Sequence, residues 1–329
     1  MILNFIGLYT TISILAKLYL LFRPYISSSK LSRYAHPSLN GAPPWAMVTG
    51  ASDGIGYALV EELAHHGFNV VLHGRNPEKL AKRVAELQSS FPDRSFKAIV
   101  ADANNVACAS CLKTHREKGL GREVALDFAE IKKDLEGLHL TVLINNVGGN
   151  PVGPVYVPLK DKDEVKLTEN VSLNALFPLH LIRTLLPTLI QNGPSLLINV
   201  SSMADQGLPF LASYSASKQF LMTLTSTLRL EVMLEGRADD VEILGVRTGR
   251  VTGVTDYKEP PSFFVPDTKT FAKATLAHAG HGRGLVVGYW THMLQDLMAS
   301  LMPPWVADRV RISFMRQLEE GERMTKKEI

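Results

Sequence analysis

From residue 45 onward, short apolar runs alternate with amphipathic stretches. "WAMVTG" (Trp45 to Gly50) leads into "GIGYALVEELAHHG", where apolar residues recur every three or four positions and Gly67 marks a stop. "FNVVLHG" and "SFKAIVAD" are further continuous apolar runs, with the helical pattern "PEKLAKRVAELQSSF" between them. The same alternation gives a helix over 122–137, a strand at "LTVLINNV", a helix over 170–190 and a strand at "SLLINVSS". A long helix follows "YSASK", then strands at "VEILGVRTG" and "GLVVGYW". Continuous rather than alternating apolar strands, separated by helices, predict an α/β fold. The expected form is a single Rossmann-type doubly wound parallel sheet over 45–290, with ligands at the carboxyl ends of its strands.

The turn between the first strand and first helix is "TGASDGIG", with Gly50, Gly54 and Gly56. Glycines there let the backbone approach a pyrophosphate, which then sits on a helix N-terminus. Gly50, Ser52, Asp53, Gly54, Ile55 and Gly56 are therefore expected to bind a dinucleotide. The second strand ends in "LHGRN", without the acidic residue that grips a ribose 2′-hydroxyl. Arg75 stands there instead, and a cation suits a 2′-phosphate, which points to NADP(H).

The ends of the chain differ from its middle. Residues 1–22 carry only Lys17 as a charged side chain and are long enough for a membrane anchor helix. Such a segment either spans a bilayer or lies along its surface. Residues 23–44 read as a linker in which Arg23, Lys30 and Arg33 follow the apolar run, so the positive-inside rule places the remaining chain in the cytosol. Residues 291–329 form an amphipathic C-terminal extension, broken at Pro303-Pro304 and ending "MTKKEI". Lys326 and Lys327 match the dilysine pattern of retrieval to the endoplasmic reticulum, which predicts that membrane as the location.

Composition removes other classes. A net charge of +3, scattered along 329 residues, does not describe a nucleic-acid surface. Two cysteines, Cys108 and Cys111, are too few for a disulfide framework or a four-cysteine zinc site, so no metal is expected. The sequons at Asn170 and Asn199 fall in predicted helix and strand and are not expected to carry glycans.

In "YSASK" the spacing puts Tyr214 and Lys218 on one helix face. An ammonium beside a phenol favours the phenolate, so the Tyr214 pKa is expected to fall toward working pH. Alone the pattern is weak. In company with "TGASDGIG", "NNVG" at Asn145 to Gly148 and "NVSS" at Asn199 to Ser202, its order and spacing resemble the short-chain dehydrogenase/reductase family over about Trp45 to Gly253.

That resemblance implies catalytic roles for Tyr214, Lys218, Ser202 and Asn174. The tyrosine would protonate a carbonyl oxygen, the serine would hydrogen-bond it, and the lysine would lower the tyrosine pKa and hold the nicotinamide ribose. The asparagine would anchor a water in the proton relay. Counting back from the tyrosine gives Ser201, whereas matching the strand end gives Ser202, the preferred reading. The resemblance also assigns Asn146, Gly148 and Asp102 to the cofactor cleft, and Val251 to a backbone contact with the carboxamide. Thr248-Gly249 departs from the usual Pro-Gly.

The anchor, "FRPY", "WAMVTGASDGIG" and the dilysine tail are similar to the membrane-bound branch of very-long-chain 3-oxoacyl-CoA reductases and related 17β-hydroxysteroid dehydrogenases. This implies a lipophilic ketone or acyl-CoA as substrate, and a homodimer is common in the family. A steroid or other lipophilic ketone, or a non-catalytic nucleotide-binding scaffold, stays open at this point.

Overall fold

The computed structural model describes residues 2–106, 126–149, 155–254 and 259–325. Cys108, Cys111, Lys326 and Lys327 lie outside the described residues. The strands are β1 (Pro44–Thr49), β2 (Asn69–Gly74), β3 (Phe96–Val100), β4 (His139–Asn145), β5 (Ser195–Ser202), β6 (Val241–Thr248) and β7 (Leu285–Val287). They form one seven-stranded sheet in the order β3-β2-β1-β4-β5-β6-β7, with every pairing parallel. Strand order reverses between β1 and β4, the switch point where doubly wound sheets open a crevice.

Both faces are covered, which is why the strands are apolar throughout. On one face lie α2 (Gly54–His65) and α3 (Pro77–Ser90); Leu59, Leu63 and Leu80 pack under them. On the other lie α4 (Phe128–Asp134), α5 (Glu164–Val171), α6 (Phe177–Gln191) and α7 (Ala212–Leu234). Ile131, Leu181, Leu185 and Val232 face the sheet from that side. Each such leucine contributes about 1.5–3 kcal/mol by leaving water. α8 (Thr268–Ala277) returns to the first face, where Phe271 and Leu276 are buried. Side-chain caps fix several starts: Asn76 Oδ1 accepts from Lys79 N at 2.8 Å, ahead of Pro77 in the first turn of α3.

Three expectations shift. The helix over 122–137 appears among the described residues only as α4, because Leu126 bridges to Val106 and Asp127 then caps the helix on Ala129 N. The helix over 170–190 begins earlier, at Glu164, and is wound as a π turn from Ser172 to Leu176. Lastly, α1 (Ile2–Ile26) continues past Phe22, and the stretch after it is no free linker. Leu31 and Tyr34 are buried in the core, Thr141 Oγ1 donates to Tyr34 O at 2.7 Å, and the Tyr34 hydroxyl donates to Glu242.

Helix α1 itself stands clear of the sheet, with Ile6, Tyr9, Ile12 and Leu15 exposed. Its base is fastened: Tyr25 Oη donates to Val287 O at 2.8 Å, and Arg283 Nη1 donates to Pro24 O at 3.0 Å. At the other end of the chain, α9 (Trp290–Leu301) and α10 (Pro304–Thr325) meet at the expected Pro-Pro break.

Candidate active site

One hydroxyl joins the ends of β1 and β4. Thr49 Oγ1, at the end of β1, accepts from Asn146 N and Val147 N, each at 3.0 Å. Asn146 Nδ2 returns a bond to Thr49 O at 3.0 Å, so "NNVG" straps β4 to β1. Asn145 donates to Asn199 Oδ1 at 2.8 Å, and Asn199 donates to Thr225 Oγ1 at 2.9 Å, which carries the strap through β5 to α7. Asn199 and Asn170 are both buried, so neither sequon presents an accessible amide.

At the β1–β2 side the turn is set by backbone proximity. A Cβ on Gly56 would lie 2.1 Å from Gly50 O, so only glycine fits. Asp53 caps α2 by accepting from Gly54 N at 2.8 Å and pairs with Lys79 Nζ at 2.7 Å. Burial works against its carboxylate, but the bonds from Lys79 and Gly54 outweigh that and hold its carboxyl below the usual range. Arg83 donates to Ser52 O at 3.2 Å and lies over the Tyr57 ring at 4.3 Å. Ile55 packs against the core beneath the turn. Arg75 is exposed just past β2. Asp102, beyond β3, accepts from Asn104 N and Nδ2 at 3.1 and 2.9 Å.

At the β4–β5 side the predicted residues converge. Lys218 is buried, and its Nζ donates to Val200 O at 3.1 Å and lies 5.8 Å from the Tyr214 ring centroid. Asn174 sits inside the π turn, a device that re-aims one residue within a helix. Its amide is fully engaged: Nδ2 donates to Gly149 O and Asn170 O at 2.9 Å, and Oδ1 accepts from Gly149 N at 3.0 Å. A Cβ on Gly148 would fall 2.7 Å from Lys218 Nζ and 2.8 Å from Asn174 Oδ1, so both tips meet over that glycine.

The two serines separate. Ser201 is buried and its hydroxyl donates to Lys218 O at 3.0 Å. Ser202 is the one hydrogen-bonded with Tyr214, and it also accepts from Ala204 N at 3.1 Å.

The expected fall in the Tyr214 pKa is corrected. Burial raises it above the ordinary phenol value; the Ser202 hydrogen bond lowers it and the Asp205 carboxylate raises it further. Lys218, desolvated by the same packing, is pushed down to about 8. Spacing along the helix shows that the pair shares a face, but not that desolvation outweighs their attraction.

Sequence reasoning missed two supports. Arg247 Nε and Nη2 donate to Asp205 at 2.8 Å each, and Nη1 donates to Asp296 at 3.0 Å. A lone arginine in the apolar strand "VEILGVRTG" was the available signal. The second is His292 of α9, buried against Gly249. Its Nδ1 accepts from Gly249 N at 3.2 Å, while Nε2 donates to Arg250 O at 3.0 Å. Burial lowers its pKa, which suits this neutral tautomer. The ring thus clamps the Thr248-Gly249 turn where the sequence lacks proline. Val251, next along, is buried.

A turn closed to any side chain at Gly56, strand ends converging on a switch point, and a Ser-Tyr-Lys-Asn group beside it fit a nicotinamide dinucleotide. They describe an oxidoreductase cleft. The short chain dehydrogenase family profile matches residues 44–260, and the chain belongs to that family.

Its relatives lie in the very-long-chain 3-oxoacyl-CoA reductase branch. A very-long-chain 3-oxoacyl-CoA reductase-like protein of Arabidopsis thaliana is 31% identical, covering 82% of this chain and 80% of its own. A very-long-chain 3-oxoacyl-CoA reductase of Phaeosphaeria nodorum is 30% identical, over 78% and 71%. A human inactive hydroxysteroid dehydrogenase-like protein 1 is also 30% identical, over 80% and 73%. Among solved structures, a short-chain dehydrogenase from Sphingobium yanoikuyae in complex with NADPH superposes with a TM-score of 0.59 at 21% identity, over 79% of this chain and 97% of that one. That likeness supports the fold.

Proposed function

We propose that this chain is an NADPH-dependent ketoreductase that reduces a long-chain 3-oxoacyl-CoA to the 3-hydroxyacyl-CoA, as a step of fatty-acid elongation. The observation that carries it is the meeting of Ser202, Tyr214, Lys218 and Asn174 at the strand ends, together with the names of its relatives. Bound NADPH supplies the hydride. Ser202 Oγ and Tyr214 Oη would each offer a hydroxyl to the carbonyl oxygen, which becomes basic as the carbonyl is reduced. Tyr214, with its pKa above the ordinary value, stays protonated at neutral pH and gives its proton to that oxygen. Lys218, charged below about pH 8, stabilises the phenolate left behind. Asn174 fixes Gly149 and the floor of the cleft. Arg75, exposed past β2, would hold the 2′-phosphate by charge-assisted hydrogen bonds. The apolar helix α1 and the Lys326-Lys327 pattern support a location on the endoplasmic reticulum with the cleft in the cytosol.

A steroid or other lipophilic ketone is the second reading, favoured by the relative named for a hydroxysteroid dehydrogenase. That relative is named inactive, but Tyr214 and its partners are all present here. NADPH oxidation by detergent-solubilised protein, offered a long-chain 3-oxoacyl-CoA beside a steroid ketone, tests the assignment. Turnover of the thioester alone supports elongation. Turnover of the steroid alone moves the enzyme to the second reading. Absence of both would leave the fold and cofactor reading standing and call for another ketone substrate.

A further inference from the structure

An aromatic cluster stands on the surface beside the base of α1. Phe263 and Phe264 occupy the tip of a tight turn closed by Ser262 N to Val265 O at 2.9 Å and Val265 N to Ser262 O at 3.1 Å. Phe263 is 59% exposed, Phe264 39% and Trp290 36%. The Phe263 ring meets Phe264 edge-on at 4.9 Å and Trp290 edge-on at 5.3 Å. Two phenylalanines at a turn tip contradict ordinary turn chemistry, which favours small and polar residues. A contiguous exposed aromatic patch marks an interaction site.

The position of α1 says what covers it. Tyr25 Oη donates to Val287 O, three residues before Trp290, and the Tyr25 ring meets His278 edge-on at 5.1 Å. Arg283 ties to Pro24 O and Ser27 Oγ at the same base, with Arg23 exposed beside it. The helix therefore leaves the domain next to the cluster, with cations around its foot. Tryptophan and phenylalanine with flanking arginine is the chemistry of a lipid headgroup region. The same segment begins at the Thr248–Val251 turn, which α9 clamps through His292.

We propose that Phe263, Phe264 and Trp290 form a foot seated in the headgroup layer of the bilayer that α1 enters, turning the cleft toward the lipid surface. This rests on reading α1 as a membrane anchor. The tether holds the foot at high effective concentration, so a few aromatic side chains suffice for it to stay seated.

The test uses the full chain in vesicles of phosphatidylcholine with some phosphatidylserine, with acyl chains brominated near the headgroup. Three tryptophans report: Trp45, Trp290 and Trp305. The expected result is bromine quenching that falls by at least about half in Trp290→Phe and is unchanged in Trp305→Phe. A Phe263→Ser/Phe264→Ser variant should keep co-floating with vesicles while Trp290 quenching drops. Co-flotation with equal quenching in wild type and Trp290→Phe would leave the anchor standing and overturn the foot. A chain that does not float would overturn both. Trp290 shielded from aqueous acrylamide yet unquenched by bromolipid would assign the cluster to a second protein copy and also overturn the proposal.

Discussion

The two sides of the cleft are built differently. At the β4–β5 side, Asn174, Ser201 and Lys218 are buried, and Asn174 and Lys218 bond to backbone brought from another element. At the β1–β2 side the backbone turn at Gly56 is joined by the Asp53–Lys79 pair, by Arg83 and by the exposed Arg75. Side chains buried without ion pairs cost stability and gain fixed geometry. A glycine turn costs little and sets shape; an exposed arginine is easily exchanged. The first side is accordingly the one where single substitutions should remove activity, and the second the one where they should redirect it.

The largest contrast is expected from Tyr214→Phe. Turnover should fall by roughly a thousandfold while NADPH binding, followed by its fluorescence, is retained. Loss of both together would mean that Tyr214 shapes the cofactor site rather than donating the proton. Ser202→Ala comes next, with a drop on the order of a hundredfold in kcat. Ser201→Ala should keep kcat and lose about 1 kcal/mol of stability with its bond to Lys218 O. The reverse pattern would exchange their roles.

Lys218→Met separates chemistry from folding. Its folded pKa, about 8, lies below the ordinary lysine value of 10.5, so between these values the unfolded chain binds more protons. Wild-type stability therefore rises with pH across that window, and below it the full cost of the buried charge remains. The variant should be inactive yet more stable at pH 7, by about 2 kcal/mol after its lost hydrogen bond is counted. Chemical denaturation at pH 7 and at pH 10 checks this, because the gap should shrink at the higher pH. Wild-type reduction should itself decline above about pH 8, as Lys218 loses its charge.

The smallest effect belongs to the other side. Arg75→Glu should reverse the preference between NADPH and NADH by about tenfold or more, the worth of one charge-assisted bond, with kcat on the preferred cofactor nearly kept. An unchanged ratio would reassign the 2′-phosphate to Lys79 or Arg83.

Legibility in the sequence followed the same divide. Strand and helix alternation and the glycine turn are local patterns; the strands and the turn fall where local reasoning puts them, while the helices over 122–137 and 170–190 shift in their bounds. Arg247 with Asp205 and Asp296, and His292 with Gly249, join residues more than forty positions apart, which no periodicity signals. The pKa of Tyr214 depends on burial, a property of the packed molecule. Hydropathy was likewise incomplete: among the described residues Ile6–Ile26 and Glu164–Gln191 are both apolar and long enough to cross a membrane, yet only the second turns inward. Leu31 and Tyr34 lie in a stretch with no regular pattern, and their burial follows from where the chain must turn to enter β1.

The pairing of β1 with β4 has a consequence for biosynthesis. Thr49 Oγ1 reaches Ile144 O across 95 residues of chain. A ribosome releases α1 first, then β1, β2 and β3, long before β4 exists. During that interval β1 has one unpaired edge, while the apolar N-terminal segment is already free to enter a membrane. Open strand edges invite pairing with other chains, and long-range parallel pairing closes slowly. A nascent chain held at a bilayer by α1, as proposed above, would be kept apart from its neighbours while that edge waits for its partner.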